Sequence, residues 1–119
     1  MNFTDADLRL RLDSAAEPEI ADARFGLIAM DRDGRVLAYN RFESELSGLS
    51  SERVMGKHVF SAVAPCTNNY LVAQRFESET ELDESLDYVF TLKMRPTKVT
   101  LRLLKSAASP RMYLLVARR

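Results

Sequence analysis

Three side chains in this sequence could do chemistry together: the hydroxyl of Tyr39, the carboxyl of Glu43 and the thiol of Cys66. Tyr39 ends an apolar run and Glu43 follows four residues later, so a chain that folds back there would bring hydroxyl and carboxyl into one space. Each residue alone has an ordinary structural explanation. A strand-end tyrosine is usually amphipathic, a helical glutamate is usually solvated, and a lone cysteine is usually a small buried hydrophobe.

Catalytic and metal-binding patterns are weak in the rest of the chain. No Ser-His-Asp or Cys-His-Asn arrangement stands out, because His58 has no evident orienting partner. There is no phosphate loop and no Rossmann glycine pattern. One histidine and one cysteine cannot build a tetrahedral zinc site, and a haem would have His58 as its single histidine ligand. The sequence therefore predicts a protein that is not an enzyme and holds no metal.

Composition and charge are typical of one globular domain that does not bind nucleic acid. The 119 residues are 46% hydrophobic, and 17 basic residues balance 17 acidic ones. Basic residues near the C-terminus are expected on a solvated strand face. No apolar run approaches the ~20 residues that span a bilayer, and the first residues lack the apolar core of a signal peptide. Together with one unpaired cysteine, these features predict a cytoplasmic protein that does not enter a membrane.

The elements that must position the three side chains begin with a polar lead. Residues 4–22 indicate a short helix whose apolar residues are Leu8, Leu10 and Leu12. Pro18 ends that segment, and one further helical turn can follow it.

A β-hairpin is the clearest local prediction. The stretch "FGLIAMDRDGRVLAYN" (25–40) has two apolar runs around an Asp-Gly turn, where Gly34 can take a positive φ. Short helices are expected next, at roughly 41–46, 51–54 and 57–63. Short helices fill a core poorly, so they are suited to lining a pocket.

A longer helix is predicted over 68–83, with Leu71, Val72 and Phe76 toward the core. The acidic run "ESETELDES" ends this helix as a solvated face or loop. Strands follow at 86–94, 98–106 and 111–119, joined by turns that contain Pro96 and "SAASP". Period-two alternation places these side chains on strand faces: Tyr88, Phe90, Leu92 and Met94 on the first strand, then Val99, Leu101 and Leu103 on the second.

The predicted fold class is therefore α+β, with a five-stranded antiparallel sheet. Short helices cover one face, and the other face is solvated or covered by the N-terminal lead. We expect residues 1–24 to form that lead and residues 25–119 to form the domain proper.

Two stretches carry a resemblance to a known family. "VMGKHVFSAVAPCT" (54–67) and "MRPTKV" (94–99) are similar to the photoactive yellow protein family, blue-light receptors of the PAS superfamily. The hairpin and "ESELSG" match in the same order. The similarity runs from about Phe25 to the C-terminus, with one short deletion between Phe76 and Tyr88.

The resemblance implies a PAS fold and a covalent chromophore, p-coumaric acid (4-hydroxycinnamic acid), held as a thioester on Cys66. It further implies that Tyr39 and a protonated Glu43 hold the phenolate oxygen, with Ser47 behind the tyrosine. Thr67, Phe90 and Met94 match further residues of the family's site.

Physical chemistry supports the role of Glu43. A buried phenolate needs hydrogen-bond donors, and burial raises the pKa of a carboxyl so that it keeps its proton. Our hypothesis is that photoisomerisation, proton transfer from Glu43 and partial unfolding of the domain form the signal.

Two residues depart from the family pattern. Leu49 stands where the family commonly has an arginine that covers the chromophore, and Leu92 replaces a tyrosine that packs near it. An alternative function is therefore a chromophore-free PAS sensor or protein-interaction module. In either case the expected partner is an unidentified downstream signalling protein, and the chain is expected to be a monomer or weak dimer.

Overall fold

The computed structural model describes residues 1–92 and 95–119, and of Leu92 it describes the backbone alone. In this part of the chain the strands are β1 (Gly26–Met30), β2 (Val36–Tyr39), β3 (Leu82–Leu92), β4 (Arg95–Lys105) and β5 (Met112–Arg118). They form an antiparallel sheet in the order β2-β1-β5-β4-β3. The helices are α1 (Leu8–Ser14), α2 (Glu17–Ala21), α3 (Arg41–Ser47), α4 (Ser51–Val54) and α5 (Ala73–Ser78), with a π-helical turn at Val59–Val63 and a 3₁₀ turn at Pro65–Thr67. The predicted α+β class and the five-stranded sheet are confirmed.

The hairpin of β1 and β2 forms where the Asp-Gly turn predicted it. The Asp31 carboxylate accepts hydrogen bonds from the backbone N–H groups of Asp33 and Arg35, at 2.9 Å each. Gly34 has a φ of 83°, and a Cβ at this position would also meet the ring of His58. Glycine is therefore required at the turn for two reasons, its conformation and the space available.

Alternating strand residues divide between two cores, one on each face of the sheet. The face that packs against α4, α5 and the π-helical turn buries Ile28, Met30, Leu101, Leu103, Leu114 and Val116. The opposite face buries Leu27, Ala29, Leu104, Tyr113 and Leu115 under the N-terminal helices. The N-terminal lead therefore covers the second face. The sequence predicts either this arrangement or a solvated face.

Helix α1 contributes two of its three leucines to that second core. Leu8 and Leu12 are fully buried, whereas Leu10 is 60% exposed. The three predicted apolar residues therefore do not share one face of the helix. At 3.6 residues per turn, positions four apart share a face and positions two apart do not.

The segment between the π-helical turn and β3 differs most from the prediction. Helix α5 covers only Ala73–Ser78 instead of 68–83, and β3 already begins at Leu82. Val72 and Phe76 are buried as predicted, but Leu71 is exposed. The end of the acidic run, residues 82–85, is not a loop, because these residues pair with β4.

Pro96 lies within β4, opposite Thr91, and not in a turn. The pairing between β4 and β5 begins at Val99. The missing N–H of Pro96 therefore breaks no hydrogen bond to β5, which is why a strand tolerates proline at this position.

Arg102 ties the N-terminal lead to the sheet. Its guanidinium forms a bidentate ion pair with Asp83 at 2.9 Å and donates to the backbone carbonyls of Phe3 and Asp5 at 2.8 and 2.7 Å. Arg102 is 6% exposed, so the expectation of a solvated basic face on this strand is wrong here. The arginine stays charged in a buried position because its donors are met.

Among the described residues, no helix is both long and apolar enough to cross a membrane.

Replacing Arg102 by methionine should lower the free energy of unfolding by about 1–3 kcal/mol, because two backbone carbonyls and Asp83 lose their donors. Urea unfolding measures the loss, and hydrogen exchange should show faster exchange of amides in residues 1–24. Arg118→Met is the matched control, since Arg118 is an exposed arginine. Equal stability of the two variants would contradict the role of Arg102.

Candidate functional site

A cavity of about 120 Å³ lies between the hairpin, α3, the 3₁₀ turn and β3. This volume is roughly tenfold what one buried water needs. Its lining residues are Ile28, Tyr39, Glu43, Ser47, Val63, Ala64, Pro65, Cys66, Phe90 and Thr91. The structure thus brings together five of the residues that the sequence predicted for a site, namely Tyr39, Glu43, Ser47, Cys66 and Phe90.

Asn40 positions Glu43 by capping the first turn of α3. Its side-chain oxygen accepts hydrogen bonds from the backbone N–H groups of Glu43 and Leu27, both at 3.0 Å. Its amide nitrogen donates to the carbonyl of Phe25 at 2.8 Å and to that of Ile20 at 3.3 Å. All these contacts are buried, so the start of α3 is held against β1.

Gly26 provides the space for the Glu43 carboxyl. A Cβ built at Gly26 would overlap the Oε1 atom of Glu43 and would also contact Val116. Any larger residue at position 26 would therefore force the carboxyl to move.

Glu43 is a buried acid with an unmet hydrogen-bonding atom. The residue is 3% exposed, and its Oε1 atom has no hydrogen-bond partner within the described chain. Burial raises the pKa of Glu43 from 4.5 to about 8. At pH 7 the protonated form is therefore favoured, and a neutral carboxyl can donate a hydrogen bond.

Tyr39 and Ser47 form a hydroxyl pair beside this acid. The Tyr39 hydroxyl lies 2.6 Å from the Ser47 hydroxyl, and Ser47 also accepts from the backbone N–H of Leu49 at 3.1 Å. Burial, with a smaller effect from the charge of Glu43, raises the pKa of Tyr39 to about 12. The phenol thus keeps its proton over the whole neutral range.

Cys66 lies on the 3₁₀ turn and borders the same cavity. The residue is exposed at the surface, yet partial burial of its thiol is the main cause that raises its pKa, with a smaller contribution from Glu43. Thr67 is fully buried, and its hydroxyl donates to the carbonyl of Ala64 at 2.7 Å. Thr67 therefore closes the turn and does not line the cavity.

The remaining predicted residues have different positions. Phe90 is buried and forms one wall of the cavity. Leu49 packs, partly buried, against the core beside α3 and is not among the cavity-lining residues. Leu92 is described by its backbone alone, and Met94 lies outside the described residues.

Four residues that support the site had no role in it on sequence grounds: Asn40, Gly26, Asn69 and Tyr88. Asn40 could have been found, because an asparagine directly before a helical pattern is a capping signal. Tyr88 shares a strand face with Phe90, which places it near the cavity, but nothing local showed its hydroxyl partner. That partner is the carbonyl of Cys66, 22 positions away in the chain.

The geometry defines a small cavity with one thiol and two groups that keep their protons near pH 7. The thiol of such a cavity can be acylated, and the two O–H groups can donate hydrogen bonds to an anionic oxygen.

Comparison with known proteins agrees with this arrangement. Residues 8–118 match the PAS fold family. The chain is 32% identical to the photoactive yellow protein of Rhodothalassium salexigens, with 99% of this chain and 97% of that protein covered. It is 31% identical to that of Halochromatium salexigens, with the same coverage. The photoactive yellow protein domain of the sensor histidine kinase Ppr from Rhodospirillum centenum is similar in structure, with a TM-score of 0.83, 34% identity, and 92% and 99% of the two chains covered. The chain therefore belongs to the PAS fold family and, within it, to the photoactive yellow protein family.

Proposed function

We propose that the protein is a blue-light photoreceptor that carries a p-coumaroyl group as a thioester on Cys66. The observation that carries this proposal is the buried Oε1 atom of Glu43, which has no hydrogen-bond partner among the described residues and lies in the cavity that Cys66 and Tyr39 also line. A buried polar atom with no hydrogen bond costs free energy, so a ligand that meets it is favoured. The relatives named photoactive yellow protein support the same assignment.

The residues of the cavity fit such a group. Cys66 is the one thiol of the chain, and the Tyr39 hydroxyl and the protonated Glu43 carboxyl are two donors for a phenolate oxygen. Phe90 and Ile28 provide apolar walls. When bound, the group supplies absorption of blue light and isomerisation of its double bond.

Glu43 is the proton donor of the proposed signal. In the dark its carboxyl keeps the proton, because burial raises the pKa and a neighbouring anion would raise it further. Once light changes the geometry of the site, Glu43 would give up this proton to the anionic oxygen that it holds in the dark, and a carboxylate would remain in the cavity. Such a buried charge costs several kcal/mol by order of magnitude, compared with a total domain stability of about 5–15 kcal/mol. Partial unfolding therefore follows proton loss.

The proposed organisation has a sensor domain and a lead. Residues 25–119 form the photosensor, and residues 1–24 form the lead that covers the opposite face of the sheet. A downstream signalling protein, not yet identified, responds to the partly unfolded state. A similar domain within a sensor histidine kinase supports a role in signalling rather than catalysis.

Mixing the unloaded protein with p-coumaric anhydride should give a visible absorption band and add one coumaroyl group to the intact mass. The thiol of Cys66 loses its proton to solvent, a sulfur–carbonyl bond forms, and p-coumarate leaves with the electron pair of the broken anhydride bond. Cys66→Ala should stay colourless and unmodified. If the wild-type protein also stays colourless, the chromophore-free PAS sensor becomes the better assignment.

The unloaded protein should lose stability as pH rises from about 4.5 to 8, because the unfolded state loses the Glu43 proton first. The loss is at most about 1.4 kcal/mol per pH unit. Urea unfolding across this range should show that Glu43→Gln removes this part of the pH dependence. Glu45→Gln, on the exposed side of α3, should leave it unchanged. Parallel pH curves for wild type and Glu43→Gln would contradict a protonated, buried Glu43.

The loaded Glu43→Gln protein should remain coloured but lose the light-driven proton transfer. Light-minus-dark infrared spectra should then lack the carboxyl band that wild type loses on illumination. Hydrogen exchange should show much smaller opening under light. A full structural change in this variant would refute proton loss from Glu43 as the trigger.

A further inference from the structure

The peptide carbonyl of Cys66 is held by two side chains from outside the 3₁₀ turn. The hydroxyl of Tyr88 donates to this carbonyl at 2.5 Å. The amide nitrogen of Asn69 donates to the same carbonyl at 3.3 Å and to the Tyr88 hydroxyl at 2.6 Å. The three groups therefore form a closed set of hydrogen bonds, which we name the Cys66 clamp.

Among the described residues, the clamp provides the hydrogen bonds between this turn and the sheet. The other hydrogen bonds of the turn are local: Thr67 donates to Ala64 through both its backbone N–H and its hydroxyl, the Asn68 N–H donates to Pro65, and the Asn69 N–H donates to Thr67. Tyr88, by contrast, lies on β3. A turn of three residues has little stiffness of its own, so a bond to the sheet fixes its orientation.

Asn69 also connects the clamp to helix α5. Its side-chain oxygen accepts from the backbone N–H groups of Leu71 and Val72, at 3.0 and 3.2 Å. The side-chain nitrogen of Asn69 thus donates to Cys66 and Tyr88, while its side-chain oxygen accepts from the segment that leads into α5. A movement of the Cys66 carbonyl would disturb both.

Tyr88 further shares its strand with the cavity wall. Its ring contacts that of Phe90 edge to face, with centroids 5.7 Å apart and an interplanar angle of 84°. Phe90 lines the same cavity as Cys66. The residue that holds the Cys66 carbonyl therefore packs directly against a wall of that cavity.

We propose that Tyr88 and Asn69 are positioning residues for Cys66, because they hold its carbonyl and so direct its sulfur into the cavity. The inference rests on the proposed function for its purpose, since a thioester is useful only if the attached group enters the cavity. The hydrogen bonds themselves do not depend on that function.

Isotope-edited infrared spectroscopy of the unloaded protein tests the clamp. The chain has one cysteine, so [1-¹³C]cysteine labels a single peptide carbonyl. In Tyr88→Phe the labelled carbonyl band should shift to higher frequency, because a lost hydrogen bond strengthens the C=O bond. Asn69→Asp should give a similar shift: it keeps the acceptor for Leu71 and Val72 but draws the Tyr88 proton away from Cys66. Tyr70→Phe is the matched control, since Tyr70 is 72% exposed, and it should give no shift.

Two labelling rates test the positioning role. Acylation by p-coumaric anhydride should slow about three- to tenfold in Tyr88→Phe, the factor that one neutral hydrogen bond corresponds to. Alkylation by iodoacetamide, which reaches the exposed residue from solvent, should stay equal or become faster. The ratio of the two rates separates loss of direction from general loss of structure.

Each outcome has a distinct meaning. An unshifted carbonyl band in Tyr88→Phe, or an unchanged ratio of rates, would overturn the clamp as a positioning device. A wild-type protein that takes no coumaroyl group would refute the proposed function, while the carbonyl bands would still decide whether the clamp exists.

Discussion

The side-chain amide of Asn40 is the contact on which the rest of the site depends. Its oxygen accepts from β1 and the first turn of α3, and its nitrogen donates to α2 and to the segment between α2 and β1, so four parts of the chain meet at one buried group. Because α3 begins here, the amide also decides where Glu43 lies. A buried amide with all its hydrogen bonds met is rigid, since breaking any of them inside the protein leaves a costly unmet group. The site thus depends on a group that also binds helix α2 of the lead.

Stability and function conflict at Glu43. The fold buries this carboxyl, and in the part of the chain that the structure describes its Oε1 atom has no hydrogen-bond partner. Gly26 has no Cβ, so this atom fits beside it. Each feature lowers the stability of the unloaded domain, and together they keep a proton where a bound anion could use it. The hydroxyls of Tyr39 and Ser47 pair with each other, so among the described residues the buried side-chain atom without a hydrogen-bond partner is Oε1 of Glu43. A ligand that forms a hydrogen bond with this carboxyl therefore removes the cost of burying it unpaired, and ionisation of the carboxyl increases that cost.

Local sequence patterns predicted much of this fold, but they could not predict contacts between residues that lie far apart in the chain. The Asp-Gly turn and the alternating strands predicted the hairpin and the faces of β4, and the order of elements predicted the sheet. The helix proposed over 68–83 was too long, because Asn69 binds the segment before α5 and the acidic run pairs with β4. The burial of Arg102 could not be predicted, since its partners lie far away in the chain. Among the site residues, Tyr39, Glu43 and Cys66 stood out by residue type and spacing, but their roles came from the family resemblance, because residue types alone favoured ordinary structural roles.

Strand β3 has eleven residues and lies at the edge of the sheet, and its first residues, 82–85, are the end of the acidic run. A long edge strand offers free backbone groups to any other strand, and Val89 adds an exposed apolar side chain. Asp83, Glu84 and Asp87 lie along this edge strand, where each forms an ion pair with an arginine of the chain. Charged side chains on an edge strand disfavour the addition of another strand. The charged residues of the acidic run thus disfavour edge-to-edge aggregation through β3.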